Sequence, residues 1–233
     1  SENGSENGSL HFFETLTGKP LPDVIPGVQY PTAGGSAAWN ADGSGVFYTR
    51  YPKAGERPEA DAHFYQQVWF HRLGTPLSED TYEIGREFPR IAEIDLAASE
   101  DGKWLLATVA DGDGGDYAHY LRNPSGQWRQ LTKFEDGVKA VKFGRDDALC
   151  LLTRKNAPRG KILRLPPAET NLANAQVIVP ETRGVVQEFT ASATGLYVTM
   201  MDGGPTRLWF YPAGRRALIE VPTLPVSSVG GLH

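Results

Sequence analysis

The chain has 233 residues, 40% of them hydrophobic and 10% aromatic, enough for a sizeable core and too apolar for general disorder. A net charge of -5 excludes a general nucleic-acid binder, because phosphate contact needs a basic surface. No apolar run approaches the roughly 20 residues of a membrane helix, and the N-terminus lacks the basic and apolar stretches of a secretory signal. A soluble protein with no nucleic-acid or membrane partner is expected.

The chain opens on a polar unit, Ser1-Glu2-Asn3-Gly4, repeated almost at once and ending at Ser9. It reads as a linker or tag scar, so the expected organisation is residues 1–9 as linker and residues 10–233 as the folded part. Leu10–Phe13 and Leu21–Ile25, separated by Thr17-Gly18, read as two strands. They look like the outer half of a four-stranded unit.

From there a pattern recurs. Trp39–Thr49 is a strand, a tight turn at Asp42-Gly43 and a second strand. Leu96–Val109 repeats it around Asp101-Gly102, Val141–Leu152 around Asp146-Asp147, and Phe189–Met200 around Thr194-Gly195. The turns are about 59, 45 and 48 residues apart, near the roughly 40–50 of propeller repeats. Two further strands follow each turn. They begin at Gln67 and Asp80, at Tyr117 and Trp128, at Lys161 and Ala175, and at Arg207 and Ala217. A β-sandwich with coincidental turn spacing is the competing account, and four copies in the same order speak against it. The expected fold class is all-β: a β-propeller with four complete four-stranded blades and partial blades at both ends. The last partial blade is a strand over Val226–Leu232, within which Gly230 is expected to need close packing.

Candidate sites are few. Cys150, the one cysteine, lies in an apolar run and reads as a buried thiol. A reducing compartment and an exported protein without bridges both fit it. The five histidines show no zinc spacing, and His71 and His119 fall inside strands, where a structural role is expected. Asp111–Asp116 resembles a calcium loop, but Arg122 stands where an EF-hand needs its acidic twelfth ligand, so a connecting turn is expected. No metal and no cofactor are therefore expected. Arg50 and the insert from Lys53 to Ala62, rich in Gly, Pro and mixed charge, read as a solvated surface loop.

Asp42-Gly43 followed by Phe47-Tyr48-Thr49-Arg50-Tyr51-Pro52, then Gln67–Thr75 and Ser78-Glu79-Asp80, closely resembles the propeller of the prolyl oligopeptidases. That resemblance implies a seven-bladed propeller capping an α/β-hydrolase domain, whose Ser-Asp-His triad cleaves short peptides after proline. It also offers a role for Phe47, since an aromatic in the matching strand reaches the substrate from the propeller side; a core aromatic of the blade is the alternative. No Gly-x-Ser-x-Gly elbow occurs, and Gly34–Ala38 fails at its last residue. The expectation is a non-catalytic engineered or truncated fragment whose parent, cytoplasmic or periplasmic in a bacterium, gates peptide access. One part of a split peptidase and a propeller binding module are the alternatives. Cut blades leave strand edges open. Either Val226–Leu232 joins the N-terminal pair to close five blades, or edges pair between chains in self-association.

Overall fold

The structure, a computed structural model, describes residues 7–29, 34–215, 217–224 and 227–232. Most of the N-terminal polar repeat and Val226 lie outside the described residues. Eighteen strands are found among the described residues, and all the sheets are antiparallel where their register is defined. A two-stranded sheet, β1 (Gly8–Phe13) with β2 (Pro20–Gln29), is followed by four four-stranded sheets. β1 starts at Gly8, inside the stretch assigned to the linker. None of the described helices is long and apolar enough to cross a membrane.

Each four-stranded sheet runs in chain order. The first is β3 (Ala37–Trp39), β4 (Gly45–Arg50), β5 (Gln67–Arg72) and β6 (Thr81–Ile84). The second is β7 (Ala92–Ala98), β8 (Leu105–Asp111), β9 (Tyr117–Arg122) and β10 (Trp128–Thr132). The third is β11 (Val138–Phe143), β12 (Leu149–Thr153), β13 (Lys161–Leu165) and β14 (Gln176–Val179). The fourth is β15 (Val185–Ser192), β16 (Gly195–Met201), β17 (Thr206–Pro212) and β18 (Ile219–Val221). The chain forms two compact units, Ser1–Gln130 and Leu131–His233, with the division falling inside β10.

The repeat seen in sequence is a repeat of turn chemistry. Asn40 and Asp42 accept from the Gly45 and Ser44 amides, while Gly43 takes φ +69°. Ser99 and Asp101 accept from Trp104 and Lys103 around Gly102 at φ +68°. A side-chain oxygen of aspartate, asparagine or serine two or more residues back closes the turn, and glycine enters the left-handed region without a Cβ penalty. In the third sheet Asp146 and Asp147 take that conformation themselves, with φ 63° and 57°, as short polar side chains can.

The second strand of each sheet carries the core. β4 and β12 are buried at every position, so both of their faces are covered. In the first unit Phe12, Ile25 and Val28 of the two-stranded sheet pack on Val46 and Tyr48. Gln66, also buried, accepts the Ile94 amide and donates to the Gly34 carbonyl, and Ser36 accepts the Leu96 amide. These bonds fix the second sheet against the first. In the second unit Cys150, Leu152, Ile162 and Val179 pack against Val186, Phe189, Val198 and Met200. Burial pushes the Cys150 thiol up to about 11, which makes it the inert thiol expected.

Two expectations fail at the C-terminus. Ser227–Leu232 forms no strand, and the two-stranded sheet stays two-stranded, so the five-blade closure is not made among the described residues. The segment is instead tied within its own unit: Thr206 exchanges bonds with Ser228 and Val229, and Leu232 bonds Glu188 and Lys142. Gly230 needs no close approach either, because a Cβ there would meet no atom within 4 Å.

Two of the glycines that are needed begin second strands. A Cβ on Gly45 would stand 2.5 Å from both the His71 carbonyl and the Phe70 ring, and one on Gly195 would collide with the Tyr211 carbonyl. Since a paired backbone carbonyl cannot step aside, Gly45→Ala is expected to cost about 1–3 kcal/mol. Gly230→Ala should leave stability unchanged; urea denaturation of both variants checks the contrast.

His119 on β9 is fully buried, and burial pushes its pKa down from 6.5 to about 4. Between those values the unfolded chain takes up a proton that the folded chain refuses, so stability falls as pH falls. At about 1.4 kcal/mol per pH unit, the expected loss over that window is about 3 kcal/mol. Denaturation at both ends of the window should show a smaller loss in His119→Gln than in the unchanged chain, by that amount.

Candidate functional site: an aromatic cleft beneath Arg122

Phe47 sits in the middle of β4, paired with Ala38 on one side and Phe70 on the other. Its ring lies 4.9 Å from the Phe70 ring at 48°, a tilted contact. It is only 5% exposed. A side chain of the second sheet meets it as well. The Arg122 guanidinium, at the end of β9, lies 4.8 Å from the centre of the Phe47 ring, within the range where a cation is drawn to an aromatic face.

Glu83 on β6 holds that guanidinium in place. Arg122 Nε donates to Glu83 Oε2 at 2.9 Å, and the indole Nε1 of Trp128 on β10 donates to the same oxygen at 2.8 Å. The carboxylate is shared between a guanidinium and an indole from the next sheet. Around these groups lies an open cleft of about 350 Å³, lined by Asn40, Asp42, Phe47, Phe70, Lys103 and Arg122. Lys103 pairs with Asp101 at 2.7 Å, and that hydrogen bond is the main reason the Asp101 carboxyl sits at about 2. The floor is aromatic and the rim is charged. Such a cleft can bind and orient a small apolar group beside a polar one.

Arg50, expected in a solvated loop, is buried. It forks onto Glu56 at 2.8 and 3.0 Å, donates to the Tyr51 carbonyl, and lies 3.8 Å above the Trp69 ring. The Arg50 hydrogen bonds hold the Glu56 carboxyl below its ordinary value. The insert itself is mostly exposed, as expected; Arg57 in it stacks on Tyr65, and its Asp61 pairs with Arg90, which stacks on Phe64. A planar guanidinium can exchange water for a carboxylate fork and a ring face at once, which is how Arg50 is buried at the foot of a loop that is itself solvated. Asp111–Asp116 is the expected connecting turn, closed by Asp111 N–H donating to the Asp116 carbonyl at 3.3 Å.

The reading of the sequence singled out Phe47, whose burial also fits its core-aromatic alternative, and did not single out Phe70, Glu83, Arg122 or Trp128. A signal for the first of these was present. Glycine, one residue, then an aromatic opens both β4 and β16, and the third strand supplies a second aromatic. Tyr197 and Phe210 accordingly repeat the 4.9 Å contact of Phe47 and Phe70. The ion pair between Glu83 and Arg122 had no such signal, because its partners are 39 residues apart in different sheets.

Comparison with known proteins agrees with this architecture. The family model for the N-terminal β-propeller domain of prolyl oligopeptidase matches residues 1–233. A prolyl endopeptidase of Elizabethkingia meningoseptica is 29% identical over 181 residues, covering 73% of this chain and 24% of that protein. One from Elizabethkingia miricola is 30% identical over 171 residues, covering 70% and 23%. The chain thus spans about a quarter of these curated relatives. Among solved structures, one from a study of two prolyl endopeptidases superposes with TM-score 0.83 at 23% identity, covering 97% of this chain and 33% of the other. Oligopeptidase B of Trypanosoma brucei gives 0.65 at 21% identity, covering 87% and 28%. Both likenesses speak for the fold. With the family matched along its whole length, the chain belongs to the N-terminal β-propeller domains of the prolyl oligopeptidases.

Proposed function

We propose that this chain is the non-catalytic propeller side of a proline-specific serine peptidase, gating and orienting short peptides for an α/β-hydrolase domain. The observation that carries the reading is the cleft in which Phe47 and Phe70 form an aromatic floor under Arg122. A proline ring suits an aromatic floor, and a peptide carbonyl or carboxylate suits a guanidinium whose position Glu83 has fixed. In this role Phe47 is a binding residue that touches substrate, and Arg122 sets its orientation. The sequence supplies no nucleophile elbow, so catalysis belongs to the partner domain.

Open strand edges support a second reading, self-association of the isolated chain. β1 is an edge strand of a two-stranded sheet, and Phe13 upon it is 58% exposed. A mass that rises with concentration in sedimentation supports it, and a monomer at every concentration counts against it.

The test of the main reading has two arms. The purified chain should leave a Gly-Pro chromogenic peptide uncleaved, and turnover that a serine-directed inhibitor abolishes would show the chain to be catalytic. A fluorescent Gly-Pro peptide should bind the chain, with Phe47→Ala and Arg122→Gln each weakening it by about tenfold, or about 1.4 kcal/mol. Equal affinity in all three proteins would remove the cleft from the mechanism.

A further inference from the structure

His71, on β5, is 1% exposed, and both of its ring nitrogens face carboxylates. Nδ1 lies 2.7 Å from Asp80 Oδ1, and Nε2 lies 3.2 Å from Asp23 Oδ1. Asp80 immediately precedes β6 in the first four-stranded sheet, while Asp23 belongs to β2 of the two-stranded sheet. The imidazole therefore bridges the two sheets. The carboxylates are themselves nearly sealed from water, at 8% and 2% exposure. Asp23 Oδ1 also accepts the Gly74 amide at 2.6 Å, and Asp80 Oδ2 accepts the Tyr48 hydroxyl at 2.6 Å. From β1 the ring is met by Phe12, stacked at 6.5 Å and 24°.

The donors must be counted. An ionised carboxylate only accepts hydrogen bonds. Asp23 is kept ionised, its pKa lowered first by the Gly74 amide and then by His71. Tyr48 keeps its proton, held high by burial first and by Asp80 second, so it donates to Asp80. A neutral imidazole carries a single N–H and would turn a lone pair onto one of the two carboxylates. An imidazolium donates to both. Asp23 from β2, Asp80 before β6 and Tyr48 from β4 are the titratable groups that meet this cluster, with Arg50 on β4 acting on the Tyr48 hydroxyl.

We propose that His71 is held as an imidazolium between Asp23 and Asp80, and that its charge latches the β1–β2 pair onto the first four-stranded sheet. Loss of that proton turns a lone pair toward a buried carboxylate. A pH low enough to protonate Asp23, whose carboxyl lies below its ordinary 3.8, opens the latch from the other side. In either direction the pair loosens from the face formed by Val46 and Tyr48. The strand edge is then conditional on pH, a device distinct from the cleft beneath Arg122.

The test uses the whole chain. Nitrogen-15 spectra of the His71 side chain at neutral pH should show a hydrogen on both ring nitrogens. On alkaline titration that loses the proton, amide exchange at Leu10, His11, Val24 and Ile25 should quicken by about tenfold beyond the intrinsic rise, while β16 keeps its protection. His71→Gln and Asp23→Asn should each remove this pH response, leaving the pair equally loose throughout. A bare ring nitrogen at neutral pH overturns the proposal without any substitution. So does a pH response that persists unchanged in both variants.

Discussion

The constraint on which the structure depends is that a sheet whose second strand is apolar on both faces cannot stand alone. β4 and β12 have no exposed position, and in β8 only the C-terminal end reaches the surface. Such a strand needs a neighbouring layer on each side. In the first unit the β1–β2 pair covers one face of β4 and the second sheet covers the other. The second unit meets the same demand with its own two sheets, Cys150, Leu152 and Ile162 of the one packing against Val186, Phe189 and Val198 of the other.

Where layers meet, polar side chains set their registration. Gln66 spans from the Gly34 carbonyl to the Ile94 amide, and Ser36 reaches both Leu96 and Asp95. Apolar contact is tolerant of small slips, whereas a buried donor without its acceptor is not. The same logic explains the guanidinium groups of the first unit. Arg50, Arg90 and Arg122 each lie over an aromatic ring while pairing with a carboxylate. Each cation is satisfied on its edge by charge and on its face by the ring.

The fold was legible in the sequence because its signals are local. Asp42-Gly43 and Asp101-Gly102 announce tight turns through residues that bond their own backbone, and period-two alternation marks the strands on either side. The failures share one cause, which is that their partners are distant or absent from the pattern. Arg50 was read as solvated because its fork onto Glu56 leaves no periodic trace. Ser227–Leu232 was read as a strand yet bonds to Thr206, Glu188 and Lys142 through single contacts instead of a ladder. For the candidate site, Phe47 was singled out through resemblance. The groups that give it a lid, Arg122, Glu83 and Trp128, are set by which sheet lies next to which, and no short window of sequence contains that.

The cleft and the latch are two faces of one pair of strands. Phe47 pairs with Phe70, and Val46 pairs with His71. Successive side chains on a strand point to opposite faces, so Phe47 and Phe70 meet Arg122 of the second sheet, while Val46, Tyr48 and His71 meet the β1–β2 pair. A one-residue slip between β4 and β5 would exchange the two sets and ruin both at once. Gly45 lies at the start of this register, against the His71 carbonyl and the Phe70 ring, one residue from each face. That glycine keeps β4 close enough to β5 for the register to hold. The proposed substrate-facing surface and the proposed pH-dependent edge thus rest on the same hydrogen-bonded ladder, although they share no side chain.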